Sequence, residues 1–441
     1  MLKTKNMNPI NLQQAFSKAD EMNQSFALWH RLPLPERING VQKIKQNLLE
    51  NLEKYARAIT EDMHKPISQS KAEVKKCAYL CDYYIAHAAD FLRPQSIKTQ
   101  WSESYITYEP LGVLLGVMPW NYPFWQVFRF VIPNLILGNT FVLKHASNVP
   151  LSAALLEEAV NVACEDYPVY RNLFLPGKEV GEVIAHPVVK AVSLTGSEAA
   201  GRSVAEIAGK HLKKCVLELG GSNALIVFED ADLDKTVEKA VQARMQNAGQ
   251  SCIAAKRILV QQSVYEPFLE KYIARVQQLK TGDKWDEAIE IGAMAREDLA
   301  IELEEQIKKS VAMGAKISIG GNRNGAFFEP TVLTNVTTDM PVFTEETFGP
   351  AAVLVPFATD DEAIKLSNQS SFGLGVSLFT ADVQKAQNLA THFHEGSVYI
   401  NEMTISDPAV PFGGIKNSGY GRELSQFAMY EFANIKPVII K

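Results

Sequence analysis

The chain has 441 residues, 46% of them hydrophobic and 21% charged, a balance that excludes disorder and a small disulfide scaffold and leaves room for two or three domain cores. Its 44 Lys and Arg against 50 Asp and Glu give a formal net charge of -6, with both signs scattered, which argues against nucleic acid as a partner. Five cysteines without even spacing point to reduced thiols in a cytosol, a polar N-terminus argues against a signal peptide, and no apolar run suggests a membrane span.

From Pro9 to about Leu92 the pattern is helical, with Leu12, Ala15 and Phe16, then Val41, Ile44, Leu48, Leu49 and Leu52 recurring at three- and four-residue steps. Trp101, Tyr105, Ile106 and Tyr108 then mark a hairpin or extended strand. From Gly112 short apolar runs alternate with helix-length segments: GVLLGVMPWN, TFVLKHA, RNLFLPG, VKAVSLTGS and CVLELGG. That rhythm predicts a parallel, helix-covered sheet. A second α/β region runs through NALIVF, KRILV, AKISIGG, PAAVLVPF, FGLGVSLFT and GSVYIN. The terminal NIKPVII is a short apolar strand, expected to find a partner on another subunit.

Four cysteines read as packing residues. Cys77 and Cys81 are i,i+4 on a helix without further metal ligands nearby, Cys215 enters an apolar strand, and Cys164 has no special context, so no metal site is expected. Cys252, in NAGQSCIAAKR, lies in flexible polar backbone, which favours a nucleophile. Glu218 in VLELGG is a carboxylate in an apolar strand, where burial raises its pKa towards that of a usable base; pairing with Lys213 or Lys214 is the structural alternative. Asn121 follows the strand GVLLGV, either as an oxyanion donor or as a turn former. No GxGxxG follows any strand, but SLTGSEAAGR puts Gly196, Ser197 and Gly201 at a helix start suited to a phosphate. The same segment read as a nucleotidase P-loop has Arg202 in place of the required Lys.

Together PWNYP, LTGSEAAG, LELGG, NAGQSC, EETFGP and PFGGIKNSGYGRE resemble the aldehyde dehydrogenase superfamily over nearly the whole chain, and most closely its bacterial succinate-semialdehyde dehydrogenases. The resemblance implies an α/β fold with a Rossmann-type cofactor domain (1–95 and 111–218), an α/β catalytic domain (219–425) and a small β oligomerisation element (96–110 and 426–441). It implies Cys252 as nucleophile, Glu218 as general base and Asn121 as oxyanion ligand. Trp120, Gly196, Ser197, Glu346 and Phe348 become cofactor contacts, with Lys144 and Ser147 at the adenosine ribose. A serine at 147, where NAD-preferring members commonly carry Glu, makes NADP the expected cofactor over NAD. Arg129 is expected to fork onto a substrate carboxylate, with Trp125, Gln246 and Ser406 around it; a solvated arginine or a structural one at a subunit contact is the alternative. Gln246 stands where a second Arg is often found, so broader specificity for aliphatic or aromatic aldehydes is the alternative. Arg257 reads as structural, and Arg244 as able to point elsewhere. A coenzyme A-acylating enzyme, a nucleotidase and a purely structural protein are the other readings. A soluble cytoplasmic homo-oligomer is expected, a dimer or a tetramer.

Overall fold

Most of the apolar runs that end in a polar or glycine turn become strands, although in RNLFLPG the strand is Tyr170–Asn172 and the apolar LFL lies beyond it. The computed structural model describes residues 8–441, so the first seven residues of the polar N-terminus lie outside the described residues. The first sheet has six strands in the order Gly419–Tyr420, Lys214–Glu218, Val189–Thr195, Val113–Met118, Thr140–His145 and Tyr170–Asn172. Five are parallel, and Gly419–Tyr420 adds an antiparallel edge beside Leu217 and Glu218. The second sheet has seven strands in the order Lys316–Ile319, Thr331–Thr334, Ala351–Phe357, Ala255–Gln261, Asn223–Val227, Val376–Phe379 and Val398–Ile400, antiparallel only at its first pair.

The helical N-terminal layer consists of Leu12–Trp29, Leu34–Glu50, Leu52–Met63 and Ile67–Phe91. The first starts in a reciprocal capping box between Asn11 and Gln14. Val41, Ile44 and Leu48 are buried as the spacing predicts, whereas Leu49 is 47% exposed because it falls off the inward stripe. No helix among the described residues is long and apolar enough to cross a membrane.

Four further details differ from the sequence reading. Trp101 lies ahead of the strand Glu103–Pro110, in a bend where Thr99 Oγ1 accepts its N–H at 3.2 Å. FGLGVSLFT breaks in two. Phe372–Gly373 pairs with Ile415–Lys416, and Asn223 Oδ1 takes the Gly375 N–H at 3.2 Å before Val376 joins the main sheet. The terminal strand Ala433–Ile440 pairs within the chain, antiparallel to Glu103–Pro110 from Glu103 opposite Ile440 to Pro110 opposite Ala433. One edge of the tail is therefore satisfied without a second subunit. The expected catalytic span also returns early to the first half of the molecule, since Phe412 and Leu424 pack in the core built around the N-terminal helices and Trp125–Leu137.

Candidate active site

Cys252 owes its position to strained backbone. The helix Leu233–Met245 ends and Asn247, Ala248 and Gly249 follow with φ of 56°, 50° and 71°, three successive left-handed residues. At Gly249 a Cβ would lie 2.2 Å from the Gly349 carbonyl oxygen, so no other residue fits. The turn is tied down by Asn247 Nδ2, which donates to the Asn121 carbonyl at 2.8 Å. Arg244 donates to the carbonyls of Gly249, Thr347 and Ala351. Arg244 thus points away from the nucleophile, and Arg257 likewise donates to the carbonyls of Ser222, Leu366 and Ser367. Both are structural arginines, buried among oxygen acceptors.

The Cys252 side chain is half-buried, and burial pushes its thiol up to about 11, opposed by the positive charges of Lys256 and Arg129. Lys256 donates to the Ser251 and Cys252 carbonyls at 2.7 and 2.8 Å and sits 3.1 Å from Glu346 Oε1. It was invisible in the sequence because AAKR reads as the polar start of a strand. The Cys252 backbone N–H has no backbone partner among the described residues. Asn121 is buried beside it. Its Nδ2 donates to the Gln250 carbonyl at 3.0 Å, which leaves one amide proton, and its Oδ1 accepts from Gln126 Nε2 at 3.1 Å.

Glu218, at the end of its strand, is 2% exposed, and neither carboxyl oxygen has a hydrogen-bond partner among the described residues. Burial, then the nearby Glu423, hold its carboxyl well above the usual range, against the pull of Arg129 and Arg422. The proposed partners are absent: Lys213 donates to the His186 carbonyl at 2.6 Å and Lys214 pairs with Glu431 at 2.8 Å. Arg129 is instead ion-paired with Glu423, its guanidinium over the Phe412 ring at 4.5 Å. Glu423 answers its charge through Nε, while Nη2 stays buried without a hydrogen-bond partner among the described residues, so it is a paired arginine rather than the unencumbered fork expected for a substrate.

Two cavities meet at Cys252. One, of roughly 630 Å³, is lined by Trp125, Arg129, Gln246, Ser406 and also Lys76 and Tyr122. The other, of roughly 390 Å³, is lined by Trp120, Asn121, Thr195, Gly196, Ser197, Glu346 and Phe348. The thiol lines both. Trp120 and Phe348 form an edge-to-face wall of the second, ring centroids 5.6 Å apart. Ser197 caps the helix Glu198–Lys210, its side chain accepting the Ala200 N–H at 3.3 Å. Gly201 lets that helix approach the sheet, since a Cβ there would lie 2.6 Å from Leu219. The Gly196 N–H is already spent on the Glu218 carbonyl at 3.0 Å, so Gly196 shapes the cavity without offering a donor. Glu346 is turned inward, accepting from the Gly221 N–H at 3.0 Å as well as from Lys256, rather than reaching outward for a ribose. Lys144 and Ser147 line neither cavity. Lys144 is half-buried, at the end of the strand Thr140–His145 that pairs with Val113–Met118, and Ser147 is exposed just beyond. Arg202 pairs with Glu198 on the exposed helix surface at 2.6 Å, away from any phosphate cradle.

A thiol at the junction of a nucleotide-sized cavity and a second cleft is what covalent oxidation of a small molecule requires. The profile of the Aldehyde dehydrogenase family matches residues 1–438. The chain belongs to the aldehyde dehydrogenase family. It is 43% identical over 422 residues to the succinate-semialdehyde dehydrogenase [NADP(+)] of Deinococcus radiodurans, covering 95% of this chain and 88% of that one. It is 43% identical over 427 residues to a probable succinate-semialdehyde dehydrogenase [NADP(+)] of Synechocystis, covering 96% and 94%. The crystal structure of a Streptococcus pyogenes succinic semialdehyde dehydrogenase in complex with NADP+ superimposes with a TM-score of 0.95 at 36% identity, covering 100% of this chain and 97% of that one. Membership removes the nucleotidase and structural readings. The aldehyde dehydrogenase fold also accounts for Glu423, hidden in the sequence within GRE, where nothing local separates a buried ion pair from a solvated one.

Proposed function

We propose that this aldehyde dehydrogenase oxidises succinate semialdehyde to succinate with NADP, through a thioester on Cys252. The observation that carries the reading is the Cys252 thiol at the meeting of the two cavities. Kinship to succinate-semialdehyde dehydrogenases over nearly the full chain supports the substrate.

The second cavity fits a nicotinamide dinucleotide: Thr195 Oγ1 is buried there without a partner, a helix N-terminus opens beside it at Ser197, and two aromatic rings wall it. Trp120, Ser197 and Phe348 would hold the cofactor, with Glu346 after it swings outward, and Lys144 and Ser147 would meet the 2′-phosphate. Lys144 forms no ion pair among the described residues, so its charge is free for that phosphate. When bound, the cofactor accepts the hydride that leaves the substrate carbon. Cys252 attacks the aldehyde carbonyl as a thiolate, and the oxyanion is met by the spare Asn121 amide proton and the Cys252 N–H. After hydride loss the acyl group stays on sulfur. Glu218, once deprotonated, takes a proton from water, which hydrolyses the thioester and frees the acid. Exposed Ile435, Ile439 and Ile440 on the terminal strand support a homo-oligomer, and the reduced thiols a cytoplasmic enzyme.

The test is the rate of cofactor reduction with NADP or NAD over a panel of aldehydes. Succinate semialdehyde with NADP should give the highest kcat/KM, and Cys252→Ala should abolish it while still binding cofactor. Equal rates for succinate semialdehyde and butyraldehyde would reduce the reading to a broad-specificity aldehyde dehydrogenase.

A further inference from the structure

Among the described residues that line the substrate cleft, Lys76 is the charged side chain without an ion-pair partner. It projects from the helix Ile67–Phe91 into the cavity that Cys252 lines. Its Nζ donates to Ser406 Oγ at 2.8 Å and lies 4.1 Å from the centre of the Trp125 ring, and it has no ion-pair partner among the described residues. The carboxylates nearest it, Glu73 and Asp407, act on it only from a distance, without an ion pair, and Arg129 is itself cationic. Glu73 accepts from Lys65 Nζ and from the Phe124 and Trp125 N–H groups, Arg129 is held by Glu423, and Asp407 accepts the Ala409 N–H. Cys77 is a buried thiol held protonated by burial. Desolvation, with Arg129 nearby, pulls the Lys76 ammonium down to about 8, against the opposing pull of Glu73 and Asp407.

Ser406 Oγ accepts a second hydrogen bond, from Trp125 Nε1 at 3.0 Å. With both acceptor positions used, its own hydroxyl proton is left to donate, and the ammonium keeps two further protons. Two elements thus converge spare donors and one positive charge without an ion-pair partner on one wall of the cleft, the helix of Lys76 and the loop of Ser406, with Trp125 bracing the hydroxyl and the ammonium between them. An acceptor-only anion satisfies all of them.

We infer that Lys76, presented by Ser406 and Trp125, binds the distal carboxylate of the substrate and sets the preference for carboxylate-bearing aldehydes over neutral ones. This rests on the succinate semialdehyde reading and assigns to Lys76 the role first expected of Arg129.

The test compares kcat/KM for succinate semialdehyde and for butyraldehyde, equal in chain length and uncharged, in wild type and in Lys76→Met and Lys76→Gln. The ratio should fall roughly thirtyfold in both variants, about 2 kcal/mol at 1.36 kcal/mol per decade, chiefly through KM for the acid aldehyde. A ratio kept within about threefold overturns the inference while leaving the substrate reading intact. A wild-type ratio near one overturns both. Wild-type enzyme supplies a second readout that does not depend on the variants folding: acylation of Lys76 by acetic anhydride, followed by peptide mass spectrometry, should be slowed by succinate and not by butyramide. Equal labelling with the two would also overturn the assignment.

Discussion

Arg129 and Glu423 form an ion pair in which each side chain keeps only 3% of its surface exposed. Removing one member of such a pair leaves the other charged and unpaired in a low-dielectric interior, which costs about 3 to 5 kcal/mol. Arg129→Ala should therefore lower thermal stability and depress turnover of charged and neutral aldehydes together, because Glu218 also loses the positive charge that opposes its protonation. Thermal melts with parallel kinetics on both aldehydes check this. Selective loss of succinate semialdehyde alone, in a protein of normal stability, would return Arg129 to the substrate.

The same pair sets a pH dependence. Glu218 acts as a base only when deprotonated, and burial with Glu423 nearby holds its carboxyl well above the usual range, so thioester hydrolysis should rise with pH to values higher than an ordinary carboxylate would require. Glu423→Gln removes the neighbouring acidic group and leaves Arg129 uncompensated; both effects favour the Glu218 carboxylate. The rising limb of the steady-state rate should move to lower pH. A limb that stays in place or moves up would mean that another group titrates. Attack by Cys252 also needs the thiolate, from a thiol pushed up to about 11, so the burst of reduced cofactor should quicken with pH as well.

Gly249 combines a φ of 71° with a Cβ position 2.2 Å from the Gly349 oxygen. Gly249→Ala should cost about 1 kcal/mol or more of left-handed strain, with the backbone clash added. Because that turn aims Cys252, activity should fall more than stability does. Alkylation of Cys252 by iodoacetamide, compared with the thermal midpoint, separates the two effects; an alkylation rate equal to wild type would show that the turn does not position the thiol.

The strands were legible because their apolar runs are long and end at polar turns, as in VKAVSLTGS, and the nucleophile because Cys252 lies in backbone too polar for packing. Membership of a family supplied the order of the motifs. What escaped the reading was pairing across long separations. Arg129 meets Glu423 nearly three hundred positions later, Lys256 folds back on Glu346, and the terminal strand finds Glu103–Pro110 in its own chain. Lys76 was hidden for a related reason: in EVKKCAYLC it looks like a solvated helix face, and only the fold brings Trp125 and Ser406 to it.

Ser147 is exposed at the end of the strand that carries Lys144. A carboxylate at 147 would repel a 2′-phosphate and accept a hydrogen bond from a 2′-hydroxyl. Ser147→Glu should shift the ratio of kcat/KM from NADP towards NAD by roughly tenfold or more, mostly through KM, as an interaction of about 1.4 kcal/mol would give. An unchanged ratio would show that the 2′ position is read by other residues.

The most direct measurement mixes Glu218→Gln with succinate semialdehyde and NADP, quenches in acid, and maps the acyl group by peptide mass spectrometry. A stoichiometric succinyl thioester on Cys252, formed with one equivalent of reduced cofactor and hydrolysed slowly, is the expected result. Reduced cofactor without an acyl group on Cys252, or an acyl group on Cys77, Cys81, Cys164 or Cys215 instead, would contradict covalent oxidation at the junction of the two cavities.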